Sequence, residues 1–422
     1  MNRFSTPIVL LISAVLLMAC NRERQQPAFE FTMNNPTEAG TQYPHLYQDS
    51  TGAITMSWLL KIEEDLNSIR FSTYNEGRWT PPRTVLNSSD LFVNWADYPS
   101  VIAQNGEVVA AHWLKKRDGG PYAYDVNISF PGDEPRRWTD PLTPHDDGTA
   151  TEHGFVSMEP LSGEKVLAVW LDGRNTADRG HDEYSDPSKG MTLRSAEISR
   201  DGTVEREREI DALVCDCCST DLVLMEDRAA VVYRNRTEEE IRDISISYYD
   251  LVTGEWSDPE PVHNDGWEIN GCPVNGPVID HLDGRTAVAW YTEADGRKIV
   301  KTAVSDDGGQ SFADPVVISD ESPAGRTDVV VGEDGTVYTS WMNTTEDKGY
   351  VMLRSLSPEG SLGHSIRVGI TTSNRRSGFP QMIETGNGLM FAWTQTDPLI
   401  RIRTARVSFD QLSELNTSPA DS

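Results

Sequence analysis

The chain has 422 residues, with 37 Lys plus Arg against 66 Asp plus Glu and a formal net charge of −29. Its 37% hydrophobic and 8% aromatic content is packing material that a disordered chain lacks, and its acidity argues against a phosphate backbone or an anionic membrane surface as partner, since both need a basic face. Length alone suggests about three domains at roughly 150 residues each.

The chain opens with Arg3 and an apolar run of 12 residues from Ile8 to Ala19. A membrane-crossing helix takes about 20 residues, so this run suits the core of a signal peptide. It ends Leu17-Met18-Ala19-Cys20, which resembles the lipobox of bacterial lipoproteins. That resemblance implies a signal peptide over 1–19, lipid attachment at Cys20 and a tether over 20–27. Asn21 leans, by the sorting rule of that class, to the outer membrane. The alternative is an ordinary secretory signal with a chance Cys. The expected location is the bacterial cell envelope, periplasmic or surface-facing, with membrane contact through the anchor only.

A short strand-like run ending in an aromatic recurs seven times, at Trp58, Trp113, Trp170, Tyr233, Trp290, Trp341 and Trp393, spaced 51 to 63 residues apart. Each run is rich in Val, Ala and aromatics, and most follow Gly or Asp-Arg. They read as buried strands entered through tight turns. About ten residues upstream lies a second apolar segment, often after Pro (Tyr98-Pro99-Ser100-Val101, Cys272-Pro273-Val274). An alternating strand follows downstream, and four units close with an aromatic and Pro, as in Trp256-Ser257-Asp258-Pro259. Four strands per repeated unit is the mark of an all-β β-propeller. Seven four-stranded blades over 28–410 are expected, with six plus an extra sheet as the alternative. The seventh unit lacks a fourth strand. Phe29, Phe31 and Met33 alternate with Glu30 and Thr32, so this N-terminal segment is expected to close the ring as the outer strand of the last blade. Residues 411–422 are expected to be a flexible tail. The six recurrent Trp are expected to pack blades rather than to stack on sugars.

Ser305-Asp306-Asp307-Gly308-Gly309-Gln310-Ser311-Phe312 fits the pattern S-x-D-x-G-x-x-[WF] and resembles the Asp-box of sialidase-like propellers. Ser305, Asp307, Gly309 and Phe312 are structural in that reading: Asp307 bonds backbone amides, Gly309 permits positive φ and Phe312 tucks against the blade. The sialidase resemblance implies three Arg on a substrate carboxylate, a Tyr–Glu nucleophile pair and an Asp acid/base. The Phe-Arg-Ile-Pro signature of that family is absent. An enzyme of this kind would be a glycoside hydrolase, exo-sialidase-like.

In propellers the loops entering the innermost strand and leaving the second strand share one face, which usually carries function. That face selects Trp95, Asp97, Tyr98, Tyr122, Tyr124, His153, Asp172, Arg174, Arg234, Arg236, Arg326, Asp328, Arg375, Arg376 and the insertion from Asn175 to Lys189, with His181 and Tyr184. Arg174, Arg234 and Arg326, with His153, are the substrate-binding candidates, because guanidinium forks recognise carboxylate or sulfate. The competing reading pairs each Arg with a neighbouring Asp. Asp97, Asp172, Asp328 and Tyr98 are the catalytic candidates.

Beyond Cys20, four cysteines fall in two loops of consecutive blades: Cys215, Cys217 and Cys218 in one, Cys272 in the other. In an exported chain disulfides are the first reading, with Cys272 bonded to one of the trio. A thiolate site for Cu or Zn, with His153 adding a nitrogen, and redox chemistry are the alternatives. No nucleotide loop or serine-hydrolase elbow occurs. The functional expectation is an envelope-anchored monomer that binds or hydrolyses a glycan, or another anionic small ligand, at its axial face. A cysteine-centred metal or redox protein and a non-catalytic scaffold are the alternatives.

Overall fold

In the computed structural model, which describes residues 31–162, 164–179 and 186–417, seven antiparallel sheets form a propeller. Blade I holds Thr41–Gln48, Ile54–Lys61, Asn67–Asn75 and an outer strand split into Arg78–Trp79 and Arg83–Ser88. Blade II holds Ser100–Gln104, Glu107–Lys116 and Tyr124–Ser129. Blade III holds His153–Leu161, Lys165–Asp172, Met191–Ser199 and Val204–Val214; blade IV holds Asp221–Leu224, Arg228–Arg234, Ile244–Asp250 and Glu260–His263. Blade V holds Val278–Leu282, Arg285–Thr292, Ile299–Ser305 and Val316–Ser319; blade VI holds Pro323–Val331, Val337–Thr344, Lys348–Leu356 and Ile366–Thr372. Blade VII holds Gln381–Glu384, Gly388–Gln395 and Arg401–Ser408, and its outer strand is Thr32–Met33 from the N-terminus. Thr32 pairs with Ala405 and Met33 with Thr404, so the ring closes as expected.

The second strand of each blade is the core. In Lys165–Asp172, alternate side chains face opposite neighbours: Leu167, Val169 and Leu171 pack with Leu222 and Val231 of blade IV, while Val166, Ala168 and Trp170 pack with Leu114 and Ile128 of blade II. The six recurrent Trp are 0 to 5% exposed, as blade packing requires. At 50 to 60 residues per repeat no blade buries both faces alone.

Blade II departs from the expected four full strands. After Ser129 the chain pairs with blade II through isolated bridges, Pro131↔Trp138, Ile128↔Leu142 and the parallel Tyr124↔Glu152, in place of a fourth strand. Pro131, Pro135, Pro141 and Pro144 remove amide donors there, so a continuous outer ladder is unavailable to it. The C-terminal segment also differs: the expected flexible tail from 411 is instead largely a helix, Phe409–Thr417. Leu412 is buried in the cluster that contains Phe31, and Phe409 stacks on Tyr338 at 5.6 Å. Cys20, the signal segment and the tether lie outside the described residues.

Side chains near the axis stitch each of the seven interfaces. Asp97 accepts the Phe155 amide (2.9 Å), Asp221 that of Ile279 (2.8 Å), Asp280 that of Val331 (2.7 Å) and Asp328 that of Met382 (2.6 Å). Ser157 donates to the Thr220 carbonyl (2.9 Å), the Tyr43 amide donates to Thr394 Oγ1 (2.8 Å), and Asp49 accepts the Gly106 amide. In the blade V hairpin, Ser311 donates to both Asp307 oxygens (2.9 Å from the amide, 2.6 Å from the hydroxyl), and the Gly309 amide donates to Ser305 Oγ (2.8 Å) at φ 87°. Those bonds hold the turn where the Asp-box resemblance places it.

Candidate functional site

An axial channel of about 610 Å³ runs between the innermost strands. Its wall includes Asp97, Glu159, Asp221, Asp280, Asp328 and Glu384. Burial raises the pKa of each, to about 7 for Asp221 and Glu384 and about 8 for Glu159, and for Glu159, Asp221, Asp328 and Glu384 the charge of neighbouring channel acids adds to this. A channel lined by acids, Asp97 buried and the others half-buried, favours protonated carboxyls.

The mouth of the channel on the loop face is the opposite in sign. Arg326 sits in a bulge at the start of the blade VI innermost strand, in left-handed backbone at φ 55°. Its amide donates to Asn275 Oδ1 (2.8 Å), and its Nη1 donates to Ser377 Oγ (2.7 Å) and the Gly378 carbonyl (2.8 Å). The guanidinium lies 5.0 Å from the Trp95 ring centroid, and that of Arg375 lies 5.9 Å from the same ring. Phe379 stacks on Trp95 at 5.8 Å. Arg326 is 7% exposed, and burial together with the Arg375 charge lowers its pKa to about 10. Among the described residues neither Arg326 nor Arg375 forms an ion pair with a carboxylate. Beside them, Tyr98 takes a hydrogen bond from Gln381 Nε2 (3.2 Å), and burial with Asp328, Asp221 and Asp97 nearby pushes its hydroxyl pKa up.

The other candidate arginines are occupied. Arg174 forms a fork on Asp172, Nε to Oδ1 at 2.7 Å and Nη2 to Oδ2 at 2.9 Å. Asp172 is 0% exposed and also accepts Trp170 Nε1 (3.0 Å). Burial pushes that carboxyl up, but Arg174, His153 and Trp170 hold it below its ordinary value. Arg234 is buried with its guanidinium on the carbonyls of Asn275, Arg242 and Tyr291 at 2.7 to 3.0 Å. His153 is 0% exposed, bonded to Asp147 Oδ2 at 3.0 Å and stacked on His145 at 3.8 Å. Arg174 and His153 thus form one network in blade III, while Arg326, Trp95 and Arg375 form another at the axis. Asp97 and Asp328 place their oxygens on backbone amides of the next blade. A Tyr–Glu pair exists between Tyr124 and Glu152, but Tyr124 is 0% exposed and stacked on Phe92. The insertion residues 180–185, including His181 and Tyr184, lie outside the described residues.

The two cysteine loops meet. Cys217 and Cys272 form a disulfide between blades IV and V. Cys215 and Cys218 are buried free thiols with sulfurs 3.2 Å apart, and Arg242 Nη1 donates to Cys215 Sγ at 3.4 Å. Asn275, Arg242 and His145 escaped the sequence reading. No residue spacing marks them; they matter because the fold carries them to Arg326, Cys215 and His153.

No family model matches the chain, and no curated protein matches it. Solved structures similar to it include an ulvan lyase of polysaccharide lyase family PL25, at 12% identity and TM-score 0.50, over 92% of this chain and 98% of that one. The leech intramolecular trans-sialidase shares 13% identity at TM-score 0.46, over 92% of this chain and 71% of its own. A protein of unknown function from Dyadobacter fermentans shares 11% at TM-score 0.45, over 90% and 97%. At such identities the likeness is one of fold.

Proposed function

We propose that this chain is a lipid-anchored envelope protein, attached at Cys20 on the outer membrane, whose axial mouth binds a glycan carrying a carboxylate or sulfate. The observation that carries the reading is Arg326: a guanidinium 7% exposed, beside a second guanidinium, with neutral partners only among the contacts described. Keeping such a charge buried without a counter-ion is costly. In a chain of net charge −29 carboxylates are plentiful, so the absence of a carboxylate partner for Arg326 among the described residues leaves room for a ligand's acid. Arg375 is exposed and supplies the outer arm of the fork. The PL25 neighbour was solved bound to -[GlcA(1-4)Rha3S]-, an anionic saccharide; it suggests probes and settles nothing about this site.

Hydrolysis is the second reading. Burial raises the pKa of Asp97 and Asp328 well above the ordinary carboxylate value, and both lie near Tyr98; that is the direction of shift an acid catalyst needs. The test is calorimetric titration of the mature monomer with N-acetylneuraminate, glucuronate and a sulfated oligosaccharide against neutral lactose, followed by sugar release on each. Binding confined to the acidic probes, weakened about tenfold or more in Arg326→Gln and in the surface variant Arg375→Gln, is expected for a charge-assisted contact. Equal affinity for lactose, or no saturable binding of any acidic probe, removes the proposal. Loss of membrane association in Cys20→Ser tests the anchor.

A further inference from the structure

The four cysteines serve neither the anion site nor any blade ladder, and they stand in two oxidation states side by side. Cys272 is exposed and Cys217 half-buried, so their disulfide is accessible. Directly behind it lie the buried thiols of Cys215 and Cys218, and the sulfurs of Cys215, Cys217 and Cys218 all fall within 4.8 Å of one another. A nucleophilic sulfur facing a disulfide at that range is poised for exchange, since the reaction is attack of a thiolate on a disulfide sulfur.

We infer that the Cys215/Cys218 dithiol and the Cys217–Cys272 disulfide form an internal thiol–disulfide exchange site that delivers two electrons to an external peptide or glutathione disulfide. In the first step the Cys215 thiolate attacks Cys217 Sγ; the Cys215–Cys217 bond forms and Cys272 leaves as a thiolate at the surface. In the second, Cys218 attacks Cys215 Sγ, the 3.2 Å contact closes to a bond, and Cys217 leaves. The disulfide has moved inward to Cys215–Cys218 and two protons have moved outward, with no electron lost from the chain. The Cys217/Cys272 dithiol then reduces the external disulfide to two thiols and re-forms its own bond. The chain ends with two disulfides, and a dithiol reductant returns it to the starting state.

Two features favour Cys215 as the attacking sulfur. Arg242 donates to it at 3.4 Å, and Arg242 in turn is held by Glu240 at 2.7 Å. Burial pushes the Cys215 thiol up, but contact with Cys218 and the charges of Arg242 and Arg234 bring it below an ordinary thiol. Low-pKa cysteines in electropositive surroundings are the reactive ones. Burial of Cys215 and Cys218 restricts direct contact with a protein partner, which is why the exposed Cys272 carries the exchange to the outside.

The mature protein is incubated with glutathione disulfide, acid-quenched, alkylated and mapped as non-reduced peptides. Two thiols per chain at the start, none at the end, two glutathione molecules released per chain, and a new Cys215–Cys218 link are expected. Cys218→Ser stops the sequence after the first step, so Cys272 becomes alkylatable without reductant, whereas in Cys215→Ser it stays protected. Arg242→Gln slows the exchange about tenfold or more, with circular dichroism confirming the fold. The inference fails if Cys217–Cys272 remains the sole link in wild type and Cys218→Ser alike while the buried thiols persist. It also fails if the reduced chain takes up one equivalent of Zn(II) or Cu(I) on the four sulfurs and shows no migrating disulfide, which makes the cluster a metal site instead.

Discussion

Asp221 offers a sharp test of the axial chemistry. Its carboxylate accepts the Ile279 amide at 2.8 Å and that of Leu222 at 3.1 Å. Burial, with a further contribution from Asp280, raises its pKa from 3.8 to about 7. Between those two values the native chain holds a proton that the unfolded chain has released. Stability therefore falls as pH rises through this window, and the whole penalty is felt above pH 7. Three units at about 1.4 kcal/mol each set an upper bound of about 4 kcal/mol. Asp221 is only half-buried and lines an open channel, so screening reduces this to about 2 kcal/mol. Asp221→Asn mimics the protonated form and keeps one acceptor oxygen for the Ile279 amide. For a domain of this size, with an unfolding entropy of about 2 cal/mol/K per residue, 2 kcal/mol is worth a Tm shift of about 2–3 °C. Thermal melts of both proteins from pH 4.5 to 8.5 are expected to show Asp221→Asn above wild type by that margin at pH 8.5, with the gap closing toward pH 4.5. A gap independent of pH, or a variant less stable than wild type at pH 8.5, refutes the assignment of a strained, desolvated carboxyl.

Ring closure predicts that removing residues through Met33 lowers Tm and lets the freed edge of Arg401–Ser408 pair with a second chain, read as dimer by light scattering; an unchanged, monomeric melt contradicts the closure. Phe31→Ala, at a side chain 8% exposed in the blade VI–VII cluster, is expected to cost about 3–5 kcal/mol by denaturant titration. A Cβ placed on Gly369 meets Trp393 Cζ2 at 2.6 Å, so Gly369→Ala overpacks the same interface and is expected to lose about 1–3 kcal/mol; a neutral result there would mean that Trp393 moves freely.

The ring was readable because its determinant is local and repeated. A run such as Val166-Leu167-Ala168-Val169-Trp170 must hide both faces, and its recurrence at near-constant spacing requires neighbours on both sides. Closure was readable for the same reason, from the alternation of Phe31 and Met33. The terminal helix, where a tail is the expectation, has a local signal too: the Ser408 amide donates to Gln411 Oε1 at 2.9 Å and the Gln411 amide to Ser408 Oγ at 3.2 Å, which is a capping box written in four residues. The site was less legible because its partners are far apart in sequence. Asp172 and Arg174 stand two residues apart, and their pairing follows from that adjacency. Nothing local says that the carboxylate of Asp328 goes to the amide of Met382, 54 residues on, or that Asn275 joins Arg234 to Arg326. Residue type identified acids and arginines near an axis; only the closed ring decides which of them are already spoken for.

The arrangement of charge along the axis also limits what the mouth can do. Asp97, Asp221 and Asp328 line the channel together with Glu159 and Glu384, and Arg326 stands two residues before Asp328 in the same strand. On the proposed reading, an anion at Arg326 and Arg375 gains nothing by moving inward, because each step exchanges a guanidinium for a carboxyl that offers no positive charge. On the proposed reading the acidic group of the ligand stays with Arg326 and Arg375, and the remainder extends away from the acidic channel. The same reading couples the two regions: protonated acids repel an anion less than ionised ones, so binding at the mouth and protonation of the channel acids would favour each other. A site for a small free anion would not need this geometry. A saccharide with its charge at one end is the ligand that the proposed reading calls for, with the charged end at Arg326 and the neutral part directed away from the acids.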